Sequence, residues 1–282
     1  VEHVRNYLRF RSDCGLPVFL LIDNAGWRTR LWPLIVQECA ALGFPVLVTI
    51  RNEDWHRFAR ESLANYEIIE PSLSLVEAQQ IFDGFQSEEK LHESVNSSEW
   101  AYEKIGEPHL LMEYVYLLTH GRMLEERLKD QVRQFSEYGE DPAKVEILRR
   151  ISLAASLGSP VAADKLLKDI QLKDDPQQVL RSLSGEYIDL EDGILTGLHW
   201  VRSDHLTHIL HEGYPNLCRT ALAVLGAIPL ERIPGFVSNA LRKDDLDKEQ
   251  FMIGLTGKAK ENNLNIILAI VDGIFEAGER KF

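Results

Sequence analysis

Two short apolar runs, Pro17-Val-Phe-Leu-Leu-Ile-Asp23 and Pro45-Val-Leu-Val-Thr-Ile-Arg51, restrict the fold more than any other stretch of this chain. Each is rich in aliphatic and β-branched residues, lacks regular polar alternation and ends on a charged side chain. Such runs read as strands buried on both faces, the pattern of a parallel sheet. Open parallel sheets bind ligands at the carboxyl ends of their strands, where Asp23 and Arg51 are expected to stand. An acid and an arginine on neighbouring strand ends suit a nucleotide, the carboxylate for Mg2+ and the guanidinium for phosphate. No Gly-x-x-x-x-Gly-Lys-Ser/Thr phosphate loop occurs anywhere in the chain.

The segments around these runs complete a βαβ unit. Val4, Tyr7 and Leu8 recur at helical spacing within residues 1–15, which read as the end of a helix feeding the first strand. Leu31 to Leu42 reads as the crossover helix, with Leu31, Leu34, Ile35 and Cys39 on one face, Gly43 as its C-terminal cap and Pro45 opening the next strand. Glu67-Ile-Ile-Glu70 reads as one further strand, after which the sheet stops. Trp27, Trp32 and Trp55 are expected to pack around the sheet edge.

From Ser74 the pattern becomes helical. Ser74-Leu-Val-Glu77 has capping-box spacing, and Val76, Ile81, Phe82 and Phe85 follow as an apolar face. Gly106-Glu-Pro108 is read as the opening of a helix that carries Leu110, Leu111, Tyr114, Val115, Leu117 and Leu118 and closes at Gly121. Ser136 to Pro142 reads as a linker. Beyond it, a helix with Val145, Ile147, Leu148, Ile151 and Leu153 ends at Gly158, and Pro160 and Pro176 each open a short helix. Tyr187-Ile-Asp-Leu, the turn Glu191-Asp-Gly193 and Ile194-Leu-Thr-Gly-Leu198 read as a hairpin, followed by a helix over His199 to His211. Three helices and a hairpin make a winged-helix arrangement. After Pro215, Ala221 to Ile228, Lys248 to Leu255 and Leu264 to Phe275 read as apolar-faced helical pieces of a solenoid.

Composition limits the class of partner. A formal net charge of −13 argues against nucleic acid held by bulk electrostatics. No apolar run reaches the roughly 20 residues of a membrane-spanning helix, and no signal-peptide pattern opens the chain. Cys14, Cys39 and Cys218 lack metal spacing and read as free, buried thiols in a reducing compartment. His205, His208 and His211 share a helix face without a carboxylate or cysteine at ligand spacing, and Gly254-Leu-Thr-Gly-Lys258 lacks both the spacing and the preceding strand of a phosphate loop.

The order of these features resembles the STAND-class NTPases, the signal-transduction ATPases that include the NACHT and NB-ARC proteins. Leu20-Leu-Ile-Asp-Asn24 resembles their Walker B strand, and Val48-Thr-Ile-Arg51 the following sensor strand. Leu73-Ser-Leu-Val-Glu-Ala78 is similar to the opening of the family's helical lid, and Gly106-Glu-Pro108 to the lid's Gly-x-Pro element. Leu198-His199-Trp200 stands where the family's winged helix carries Met-His-Asp, and the Leu-His-x-x-Arg form ending at Arg202 looks most like the prokaryotic antiviral members.

The resemblance implies an α/β plus all-α chain: the C-terminal part of a P-loop NTPase core over 1–70, a helical lid over 71–138, a winged helix over 142–214 and a helical segment over 215–282 leading to a sensor solenoid. It implies a cytoplasmic ATP/ADP switch that senses a protein ligand and self-associates into an oligomer in antiviral defence. By the same resemblance Asp23 holds Mg2+, Arg51 senses the γ-phosphate, Pro108 packs near the adenine and His199 contacts the ADP phosphate. Two departures qualify it. Asn24 replaces the usual acid after the Walker B aspartate, and a neutral amide cannot take a proton from water, so hydrolysis is expected to be slow. The phosphate loop is missing, and a start at Val1 in mid-fold reads as a segment of a longer chain. The competing class is an AAA+-like ATPase with a DNA-binding winged helix. Against it, the groove-entering helix Asp174-Asp-Pro-Gln-Gln-Val-Leu-Arg and the wing Asp189-Leu-Glu-Asp192 are acidic.

Overall fold

Residues 2–25, 31–50, 63, 66–69, 71–137, 142–170, 172, 175–213, 215–261 and 264–279 are described by the computed structural model. They fall into two compact units, Val1–Ile68 and Ile69–Phe282.

In the first unit, α1 (Glu2–Asp13) precedes β1 (Leu20–Ala25), α2 (Trp32–Ala41) and β2 (Val46–Ile50). The strands pair in parallel, Leu20 against Val46, Leu21 against Leu47 and Ile22 against Val48, with an irregularity before Ala25 meets Ile50. Ile22, Val48 and Ile50 pack with Trp32 and Val36 of α2. The helix buries Trp32, Pro33 and Cys39, while Leu31 and Leu34 are exposed. The expected stripe holds at Cys39 and fails at Leu31 and Leu34, because the bulky indole of Trp32 takes the place against the sheet. Glu38 holds α1 against α2 by pairing with Arg5 and Arg9, one helical turn apart.

The expectation of strands buried on both faces holds for one face only. Along the other face Leu21 is 57% and Leu47 47% exposed, because α2 covers a single side of the sheet. Residues 67–69 form no strand, with Ile68 and Ile69 exposed, which corrects the expected third strand over that part; Glu70 lies outside the described residues.

The second unit begins with α3 (Leu75–Ser87), α4 (Ser98–Ile105) and α5 (Leu111–His120). Ser74 and Glu77 form the full capping box at the start of α3, satisfying two amides that the helix itself cannot. Ser74→Ala is expected to cost about 1 kcal/mol in urea denaturation of the chain. Tyr114 is completely buried among these helices, and its hydroxyl meets the Ala78 carbonyl and the Ser98 hydroxyl at 3.0 Å. The helix expected from Gly106 starts at Leu111 instead. Gly106 caps α4 with φ +64°, and residues 107–108 form a turn that includes a cis Glu107–Pro108 bond.

Next come α6 (Leu124–Glu137), α7 (Pro142–Ser156), β3 (Val161–Ala162), α8 (Ala163–Lys168), α9 (Pro176–Leu183), β4 (Ile188–Glu191), β5 (Ile194–Gly197) and α10 (Trp200–Leu210). The three strands form an antiparallel sheet in the order β3-β5-β4. Asp192 (φ +51°) and Gly193 (φ +76°) make the left-handed pair that a two-residue hairpin turn requires. Pro160 opens a strand that pairs with β5 before the helix begins, a pairing not legible from the residues themselves.

The C-terminal part contains α11 (Leu217–Val224), α12 (Ile233–Arg242), α13 (Lys248–Glu261) and α14 (Leu264–Glu279). Of these, α12 has no counterpart among the helical pieces expected from the sequence. One continuous core runs from Leu124 and Leu128 on α6, through α7 to α10 and the three-stranded sheet, to Ala269 and Ile270 on α14. The helices α11 to α14 thus share the core of α7 to α10 and the antiparallel sheet.

Candidate functional site

The acid of β1 and the hydroxyl of β2 meet. Thr49 Oγ1 donates to Asp23 Oδ1 at 2.5 Å, and both side chains lie on the bare face of the parallel pair, beyond Leu21 and Leu47. Parallel register brings them together: each β1 residue before the irregularity faces a residue 26 positions later. Thr49 is thus a candidate site residue that the sequence shows only as a member of the Val48-Thr-Ile-Arg51 run. The signal that finds it is the strand register, which no local pattern records. Asp23 precedes the strand end by two residues, since β1 continues to Ala25. Arg51, Trp27 and Trp55 lie outside the described residues.

Pro108 sits in a turn closed by the His109 amide on the Gly106 carbonyl, at 2.8 Å. His109 stacks on Tyr102 with ring centroids 4.0 Å apart, and the Tyr102 hydroxyl donates to the Leu73 carbonyl. These contacts tie the Pro108 turn to the segment just before α3. Pro108 itself is exposed.

His199 is the N-cap of α10, with extended backbone angles and its Nδ1 accepting the Val201 amide at 3.3 Å. A neutral imidazole that accepts at Nδ1 carries its proton on Nε2, so the ring can present an N–H donor at a helix N-terminus, where the helix dipole favours anions. His199 and Pro108 stand on separate elements with separate partners.

What links α5 to α10 directly is a half-buried hydrogen bond between a histidine and a carboxylate, which the sequence alone does not reveal. Glu113 on α5 is 7% exposed and accepts from His205 Nε2 on α10 at 2.6 Å. Hydrogen bonding to Glu113 raises the His205 pKa against the opposing effect of burial, with Glu125 and Asp204 adding smaller contributions. His208 pairs with Asp204 and Asp245, and His211 bonds the Thr207 carbonyl and the Thr220 hydroxyl. His205 and His208 of α10 and His211 at its C-cap therefore turn to three different sets of partners. Among the described residues, no group of three or more His, Cys, Asp or Glu side chains is placed to hold a metal ion.

Arg202, the last residue of the Leu-His-x-x-Arg pattern, packs over the Tyr187 ring at 5.8 Å from its centroid. Burial lowers the Arg202 pKa and pushes the Tyr187 hydroxyl up to about 12. Arg202 thereby pins α10 to the residue that leads into the hairpin.

The three cysteines are free, but only Cys39 and Cys218 are buried; Cys14 is exposed at the end of α1, which corrects its expected burial. Burial raises the pKa of both Cys39 and Cys218, so neither is an activated thiolate. Among the described residues no helix is long and apolar enough to cross a membrane. Comparison of the chain with known protein families, with curated proteins and with solved structures returns no match.

Proposed function

We propose that the chain is the sensing and switching part of an ATP/ADP-dependent regulator of the STAND class, working in the cytoplasm in prokaryotic antiviral defence. The observation that carries this reading is the Asp23–Thr49 bond across adjacent parallel strands. It puts a carboxylate and a hydroxyl, both hard oxygen ligands, near the carboxyl ends of a βαβ unit, a donor set that fits Mg2+ in company with water and phosphate oxygens. The helices α3–α5 correspond to the lid of this reading, and α7 to α10 with the three-stranded sheet to its winged helix.

Bound Mg2+ would supply charge neutralisation at the phosphates. Asp23 would hold it and Thr49 would orient the Asp23 carboxylate. His199 would donate from Nε2 to an ADP phosphate, Pro108 would flank the adenine, and Arg51 would read the γ-phosphate. Replacement of ADP by ATP would release the winged helix from its lid and permit self-association into an oligomer after a foreign protein ligand is sensed. Asn24 beside Asp23 cannot serve as a general base, which suits a slow switch better than a fast hydrolase. In this reading helices of the NTPase core would cover the Leu21 and Leu47 face, since parallel sheets carry helices on both sides.

A DNA-binding winged helix draws no support from the surface. The exposed side of α9 presents Gln177, Gln178 and Ser182 with a single Arg181, and Asp189, Glu191 and Asp192 are exposed on the wing. These carboxylates would face phosphates of like charge.

The test is nucleotide analysis and mass measurement of the intact protein. Co-purified ADP and an ATP-dependent rise in mass are the expected results, and Asp23→Ala should weaken Mg2+-ATP binding by roughly a hundredfold, about 2.7 kcal/mol. Absence of bound nucleotide together with no mass change on adding ATP would overturn the proposal.

A further inference from the structure

A chain of formal net charge −13 nevertheless gathers arginines in one cleft. The cleft lies among α7, the end of α8 and the start of α11, has a volume of about 370 Å³, and is lined by Arg149, Arg150, Arg219, Glu146, Asp169 and Thr220, among others. Among the described residues, three guanidiniums and two carboxylates line it.

The hydrogen bonding leaves donor capacity over. Glu146 accepts from Arg149 Nη1 through one oxygen and from Arg150 Nε at 2.7 Å through the other. A single carboxylate thus serves two guanidiniums whose side chains are only 15% and 12% exposed. Arg149 spends its Nε on the Leu210 carbonyl, which ends α10, so Arg149 has a structural use. Arg150 makes no such second bond to the backbone of the described residues, and it lines the cleft. Paired guanidinium edges in a partly desolvated cleft are the preferred receptor for a phosphate.

The cleft adjoins a second chamber of about 240 Å³, which shares Asp169 and Ala223 with it. That chamber is lined mainly by aliphatic side chains, including Leu225, Ile228 and Ile266, with Lys165 and Lys258 also at its wall. A polar, cationic compartment opening beside an apolar one suits a ligand with an anionic head and an apolar body.

We infer that this pair of compartments binds a small phosphate-bearing molecule, its phosphate among Arg149, Arg150 and Arg219 and its apolar part against Leu230 and Ile266. The inference uses none of Asp23, Pro108 or His199 and stands independently of the switch reading. Through α7 and α11 such a ligand would bridge the winged helix to the helices that follow it.

The test is calorimetric titration of the 282-residue chain at low ionic strength with two probes, inorganic phosphate and phenyl phosphate. Both are expected to bind saturably, phenyl phosphate about tenfold more tightly, since its ring removes apolar surface from water. Arg150→Gln and Arg219→Gln should each weaken both probes by about tenfold or more. Arg219 is exposed, so its variant tests the site without touching the core. Ile266→Ala should reduce the advantage of phenyl phosphate and leave inorganic phosphate unchanged. No saturable heat with either probe at about ten times the millimolar range typical of weak ligands, or binding indifferent to both arginine variants, would overturn the site. Equal affinity for the two probes would overturn the assignment of the apolar chamber.

Discussion

Phe236→Ala is expected to lower the stability of the unit Ile69–Phe282 by about 3–5 kcal/mol, the usual range for removing a fully buried phenyl ring. Phe236 is 0% exposed on α12 and belongs to the core that runs from α6 to α14. The site cannot collapse to fill the space. On the neighbouring contact of α12 with α14, a Cβ added at Gly273 would come within 2.6 Å of the Pro234 carbonyl oxygen and 2.8 Å of the Val237 Cβ. Helices already this close cannot approach further, so the lost ring leaves a cavity and adds its cost to the lost transfer energy. Domains are stable by only about 5–15 kcal/mol, so one such change removes a large share of the margin. Urea denaturation reads it as a lower midpoint at an unchanged slope. A midpoint within error of the parent would show that α12 does not share the common core.

The second large effect concerns the Glu113–His205 pair. Replacing Glu113 by Ala should cost about 1.5–3 kcal/mol near pH 6, the range for a charge-assisted hydrogen bond whose partner is left behind. The pH dependence follows from the direction of the His205 shift, which is upward and mainly due to the Glu113 bond. A histidine whose folded pKa is raised contributes stability fully below its unfolded value of about 6.5 and loses that contribution as pH rises through the folded value. The difference in stability between the parent and Glu113→Gln should therefore be greatest at pH 6 and shrink towards pH 8.5 and above. His211 acts in the opposite sense, since burial lowers its pKa and its protonation destabilises the fold as pH falls. Comparing parent with Glu113→Gln at each pH cancels that contribution. A difference independent of pH would show that His205 is not the titrating partner. Within the proposed switch, the pair would act as a latch between α5 and α10, stronger in acid than in base.

Much of the local structure is legible from the residues. Ser74 and Glu77 announce the start of α3 because a hydroxyl and a carboxylate three apart can satisfy the free amides of one helix end. Gly121, at φ +68°, ends α5 because it adopts the left-handed cap at no steric cost. Asp192 and Gly193 mark the hairpin for the same backbone reason. The helix α12 escapes such reading because Pro234, which fits the first turn of a helix, looks like a breaker when its tertiary neighbours are unknown.

The candidate site divides along the same line. Asp23 and His199 stand out from their immediate neighbours in the sequence, as the acid after an aliphatic run and as the polar residue between a hairpin and a helix. Thr49 joins Asp23 only through strand register, Glu113 meets His205 across 92 positions, and Arg219 faces Arg149 and Arg150 only because α11 packs on α7. Sequence by itself determined the ends marked by local chemistry, the capping box before α3, the Gly121 cap of α5 and the Asp192–Gly193 turn, because those caps and turns are satisfied by atoms within a few residues. Tertiary structure alone decided which face of β1 stays bare, which charges are paired and which arginines share a cleft. Those outcomes depend on burial and desolvation by distant segments, and no local pattern carries that information.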